Sequence, residues 1–296
     1  MQEILQLVHI ALPVSLILIV LALGLRCTWG DVTFLFHEPT LLVRSLLSMN
    51  VVLPLVAVLV ATSFDLKPPV KVALFVMAVS PVPPILPPKL LKLVTRDDYV
   101  WGLLVASSLF AIVLIPLTLA LISNVAGLSW RVDPALVARS VGASVLLPLG
   151  VGLVIRHFFP GFANRITRTI SAIGVVLLLA ASIAIIAIGW RAFGELIGDG
   201  TLLAFITLAL IGLLVGHLLG GPRGDDRTVL ALSSAARHPG VAIVIGAALF
   251  PDQKGLIAVA VLLELIVATI ATIPYTRWRR KLHEKRALGG TAPGAQ

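Results

Sequence analysis

Apolar runs long enough to cross a bilayer follow one another along almost the whole chain, separated by short charged or Pro/Gly-rich turns. They fall at roughly 4–25, 39–62, 69–92, 99–124, 135–158, 166–190, 199–221, 228–250 and 255–277. The pattern predicts an all-α integral membrane protein with nine transmembrane helices. It further predicts a single transmembrane domain over roughly 1–286 and a disordered cytoplasmic tail over 287–296. The opening Met-Gln-Glu-Ile-Leu-Gln lacks the basic start of a signal peptide, so the first run reads as a helix that stays.

Two of the nine runs cannot be continuous helices. In the third, Ser80–Val94 carries Pro81, Pro83, Pro84, Pro87 and Pro88, each without an N–H and each with a ring that clashes with the preceding turn. In the eighth, Ser233 to Gly240 places Arg237 and His238 at mid-span and follows them with Pro239 and Gly240. Backbone freed by a break cannot face lipid, so each break is expected inside protein or on a wet cavity. The two are offset by five spans, an odd number, which sends corresponding helices through the membrane in opposite directions. Paired interruptions in inverted halves point to a secondary transporter with its site near the midplane.

Composition agrees: 58% of residues are hydrophobic and 12% charged, with a mean hydropathy of +1.06. The net charge of +9 is spread over loop ends, which favours a membrane role over nucleic-acid binding. Arg26, Arg44, Lys92, Arg96, Arg156, Arg165, Arg168, Arg223, Arg227 and the cluster from Arg277 to Arg286 fall on one side. Lys67, Lys71, Arg131, Arg139, Arg191 and Lys254 fall on the other. The positive-inside rule then places the amino terminus outside and the carboxyl terminus in the cytoplasm, as for a bacterial inner-membrane protein. A single cysteine, Cys27, excludes an intramolecular disulfide and a multi-cysteine metal site. No H-E-x-x-H pair, paired intramembrane aspartate or P-loop supports an enzyme, and no metal site or cofactor is expected.

The run Leu23-Gly24-Leu25-Arg26, Pro54 within an apolar span, the Pro81 break, Asp97, Pro116 and the stretch from Arg227 to Ala242 resemble the bile acid:sodium symporter family. The resemblance covers roughly 18–275. It implies inverted repeats, a core domain on two discontinuous crossing helices, a panel domain, and alternating access for organic anions. It also implies oxygen ligands for two sodium ions, and here this chain departs. The family's Gly-Gly reads Val82 and Pro83, and its Ser-Asn pair falls near Leu86 and Pro87. Its acidic residue and Gln in the second break fall at Ser233 and Arg237, and a Gln before Pro54 falls at Met49, beside Asn50. Sodium needs several hard oxygen ligands. Lys89 and Arg237 are therefore expected to replace the ions with tethered cations.

The expected function is a secondary transporter of small organic anions, carboxylates first. Arg237, His238, Lys89, Asn50, Ser233 and Ser234 are the candidates for substrate binding. Glu264 and His238 are candidates for a proton or charge partner, with Arg237 either a carboxylate anchor or the salt-bridge partner of Glu264. Alternatives are a sodium-coupled symporter of the family type, an auxin-like or arsenite-type efflux carrier, and, further off, a channel. Expected partners are the anion and the lipid bilayer; oligomeric state, direction of transport and the choice between sodium and proton coupling are not legible.

Overall fold

The computed structural model describes residues 2–125 and 131–289, and among them every regular element is a helix. In chain order these are α1 Gln2–Gly24, α2 Trp29–His37, α3 Pro39–Leu46, α4 Leu53–Ser63, α5 Pro68–Val79, α6 Pro87–Leu90, α7 Asp98–Val125 and α8 Pro134–Val141. There follow α9 Leu147–Phe158, α10 Pro160–Leu196, α11 Thr201–Leu219, α12 Gly224–Ala235, α13 Pro239–Leu249, α14 Lys254–Ala271 and α15 Ile273–Gly289. A π-helical turn joins α3 to α4 at Leu47–Val52, and another joins α8 to α9 at Gly142–Leu146. Each turn stands just before a proline, Pro54 or Pro148, and widens the helix where that ring would clash.

Among the described residues, 7 helices are long and apolar enough to cross a membrane, or up to 8 if α1 and α2, bent by 88°, count as one span. The sequence pattern predicts nine. The difference lies in the predicted third span: its helix stops after the 12 residues of α5, and the prolines that follow leave only a four-residue turn, α6. The predicted tail begins inside α15, which runs on to Gly289, and residues 290–296 lie outside the described part.

Helices pack closely where side chains are smallest, as expected where apolar side chains meet equally apolar lipid. On α11, Gly212, Gly216 and Gly220 recur every fourth residue and face α12. A β-carbon on Gly216 would stand 2.6 Å from the Ala231 Cα, and one on Gly220 2.4 Å from the Arg227 Cα. The opposite face of α11 exposes Leu210, Leu214 and Leu218. Gly24 of α1 and Gly152 of α9 meet in the same way, and α10 lies along α1 and α9.

The buried apolar residues fall into two clusters, stacked along the helices. One holds Val70–Val79 of α5, Ala111–Ile122 of α7, Val241–Ile245 of α13 and Ile257–Val267 of α14. The other holds Val82–Val94, Tyr99–Ala106 of α7 and Val229–Ala235 of α12. Between them the α3–α4 turn, the end of α5, α7 and the α12–α13 break contribute polar groups: Ser48, Ser80, Ser107, Ser108, Ser233, Ser234, Arg237 and His238, all buried. Buried polar groups thus lie beside both apolar clusters.

Gly216→Val drives a branched side chain into the α12 backbone and is expected to cost about 1–3 kcal/mol. Gly150→Ala, at a site with open space around it, should be neutral or slightly stabilising. Thermal unfolding of the detergent-solubilised variants checks the pair; equal melting temperatures would contradict the close α11–α12 approach.

Candidate functional site

The first break starts where α5 ends. Ser80 takes an extended conformation (φ −68°, ψ 152°) and its Oγ donates to the Val76 carbonyl at 2.6 Å. Ser80 to Pro84 are all buried, so the broken backbone sits inside protein. Val82 carries the one N–H between Ser80 and Ile85, and it donates to Ser107 Oγ of α7 at 3.3 Å. Pro87 and Pro88, expected to prolong the break, instead open α6, because the first helical positions need no N–H donor.

The second break is shorter. Helix α12 ends at Ala235, Ala236 is extended, and α13 restarts at Pro239 and Gly240, so both of these residues lie just past the break. His238 caps α13: its Nδ1 accepts from the Val241 N–H at 3.3 Å. Its backbone N–H donates to the Pro81 carbonyl at 3.0 Å. The two breaks therefore touch, backbone to backbone.

Arg237 completes the junction. At 2% exposure it is one of the largest fully buried side chains, and its Nη1 donates to the Ser80 carbonyl at 2.9 Å and its Nη2 to the Met49 carbonyl at 2.5 Å. Both carbonyls lose their ordinary donors to proline. Three and four residues beyond Ser80 stand Pro83 and Pro84. In the π-helical register, in which the Leu53 N–H bonds to the Ser48 carbonyl, the donor for Met49 would be Pro54. The guanidinium supplies both missing donors, and at Ser80 it also meets the negative end of the α5 dipole.

Around this junction, Ser48 Oγ and Ser234 Oγ share a hydrogen bond of 2.8 Å. Glu264 of α14 is 1% exposed, and no ion pair joins it to Arg237 among the described residues. The salt bridge weighed as the alternative role for Arg237 is thus absent from this arrangement. Four buried polar atoms here have no hydrogen-bond partner among the described residues: Ser233 Oγ, Arg237 Nε, His238 Nε2 and Glu264 Oε2. Asn50 is half-buried in the π-turn beside Met49.

A cavity of about 340 Å³ opens beside the junction, between the segment after the first break, α12, and the α14–α15 helix. Its floor is apolar: Pro83, Ile85, Leu86, Leu232 and Leu265. Thr269, Thr272 and Thr276 line one wall, and Lys89, Lys92, Arg277 and Arg280 complete the lining. Of the expected binding residues, Lys89 alone lines this cavity; it is exposed there and makes no hydrogen bond to the break carbonyls. Arg237, His238, Asn50, Ser233 and Ser234 do not line it. Leu232, Ala236 and Leu265 of the lining are the chain neighbours of Ser233, Arg237 and Glu264. The sequence reading counts Lys92, Arg277 and Arg280 only as topology signals. The fold brings them to one concavity, and their spacing of three along each segment was the signal that could have paired them.

No curated protein matches the chain. The model of the sodium bile acid symporter family matches residues 13–195, more than half of the 296 residues. The matched part takes in the first break with its Pro54-bearing span and ends before the second, whose partner residues in this structure close onto it. By that match, the chain belongs to the sodium bile acid symporter family.

Proposed function

We propose that this protein is a nine-pass carrier that moves small organic anions by alternating access and does so without sodium. The observation that supports an anionic cargo is the cavity: among the described residues four cationic side chains line it, no carboxylate does, and its floor is apolar. The nine passes count the broken α5–α6 segment as a span. With the amino terminus outside, the cavity then opens toward the cytoplasm. Helices α1, α9 and α10, which pack on one another, would form the panel against which the crossed helices move.

The sodium-free reading rests on Arg237. A coupling ion in a broken-helix carrier is held by unwound carbonyls and half-helix ends. Here a guanidinium fixed to the chain already donates to the Ser80 and Met49 carbonyls. Arg237 in this reading is a structural cation that locks the two breaks, with Glu264 behind it as counter-charge, and the substrate is held by Lys89 and its neighbours. The family name favours a second reading, sodium-coupled uptake.

Proteoliposomes given radiolabelled cholate, pyruvate and benzoate distinguish the two. Saturable uptake of at least one anion at the same rate in sodium and in potassium is expected; several-fold stimulation by an inward sodium gradient would establish the second reading, and no saturable flux of any organic anion would contradict the carrier.

Arg237→Ala leaves two buried carbonyls without donors and should lower stability by about 2–4 kcal/mol. The vacated carbonyls should also make the variant's melting temperature rise with sodium more than with N-methylglucamine, a difference the wild type lacks. A variant as stable as the wild type, with no sodium response, would overturn the lock.

A further inference from the structure

The four cations of the cavity stand in two pairs. Lys89 and Lys92 lie three residues apart on the turn of α6 and its continuation, and Arg277 and Arg280 three apart on α15. That spacing puts both members of a pair on one helical face. None of the four has an ion-pair partner among the described residues. A topology signal alone requires only that basic residues lie on one side of the membrane. It does not require four of them to converge on one concavity from separate elements, with no acidic residue among the described lining to offset their repulsion.

The rest of the lining decides where a ligand's charge can sit. The hydroxyl protons of Thr272 and Thr276 are spent within their own helix, donated to the Thr269 and Thr272 carbonyls at 2.8 and 2.9 Å. Toward the cavity these two offer lone pairs, which repel an anionic oxygen and suit a ligand hydroxyl. The floor of Pro83, Ile85, Leu86, Leu232 and Leu265 suits hydrocarbon. An anionic head is thereby confined to the two cationic banks. A monocarboxylate can occupy one guanidinium in bidentate fashion, whereas a head with two charges and three oxygens can engage both banks together.

We infer that the cavity takes an amphipathic dianion: an apolar body on the floor and a doubly charged head, of the phosphomonoester kind, between Lys89–Lys92 and Arg277–Arg280. The inference rests on the anion-carrier reading above and narrows its substrate class. A soluble alkyl phosphate and a membrane lipid with a phosphomonoester head share this chemistry.

Equilibrium binding of hexyl phosphate, hexanoate and inorganic phosphate to the purified protein tests it, at a pH of about 8, where a phosphomonoester is doubly charged. Hexyl phosphate should bind about tenfold or more tightly than hexanoate, and inorganic phosphate, lacking the apolar body, more weakly than hexyl phosphate. The advantage over hexanoate should vanish in Lys89→Gln/Lys92→Gln and in Arg277→Gln/Arg280→Gln, and survive in Lys89→Arg/Lys92→Arg. All four side chains are exposed, so these changes leave the core untouched. Nanodiscs containing phosphatidic acid, compared with phosphatidylglycerol, separate the sources: competition by the first alone assigns the site to a lipid, and no competition by either assigns it to a soluble solute. Equal affinity for hexyl phosphate and hexanoate, or an advantage that persists in both glutamine variants, overturns the inference while leaving an anion cavity standing. Failure of all three ligands to bind would instead count against the anion-carrier reading itself.

Discussion

A helix broken by proline in the bilayer interior leaves carbonyl oxygens that nothing in lipid can satisfy. Pro83 and Pro84 do this to Ser80, and Pro54 with its π-turn does it to Met49; the side chain of Arg237, from a third segment, donates to both. The arrangement fixes three segments of the chain to one another. A buried guanidinium costs several kcal/mol unless its protons find acceptors. Orphaned carbonyls have the complementary need. Each defect offsets the other, and the backbone bond from His238 to Pro81 sets the distance between them.

The rest of the site follows from that junction. The break ends α5 after 12 residues and lets α6 restart as a single turn, and Lys89 of that turn and Lys92 just beyond it line one cavity with Arg277 and Arg280 of α15. On the other side, the glycine stripe of α11 lets α12 approach closely enough to bring Ser234 onto Ser48 and Arg237 onto its two acceptors. Apolar clusters flank these polar groups, while the cavity lining includes their chain neighbours. Leu232, Ala236 and Leu265 line the cavity and adjoin Ser233, Arg237 and Glu264 in the chain.

Much of this architecture is legible in the chain because it rests on prolines and hydrophobic run lengths, which act locally. The break at Pro81–Pro84 is read directly, while the second, read across Ser233–Gly240, is confined to Ala236–His238. Pro87 and Pro88 mislead, since the same residue that breaks a helix also starts one. The π-turns before Pro54 and Pro148 are not legible, because they depend on how the wider helix relieves a ring clash. Arg237 is conspicuous as a charge in an apolar span, yet its role turns on acceptors 157 and 188 residues away. The same limit applies to Arg277 and Arg280, whose meaning changes once α15 is placed opposite α6.

The central claim is that a tethered cation occupies the place where a coupling ion would otherwise be held. Equilibrium binding of radioactive sodium to the purified wild-type protein tests it most directly. The account predicts no saturable binding above that of a protein-free control; one or two saturable sodium sites per chain would contradict it.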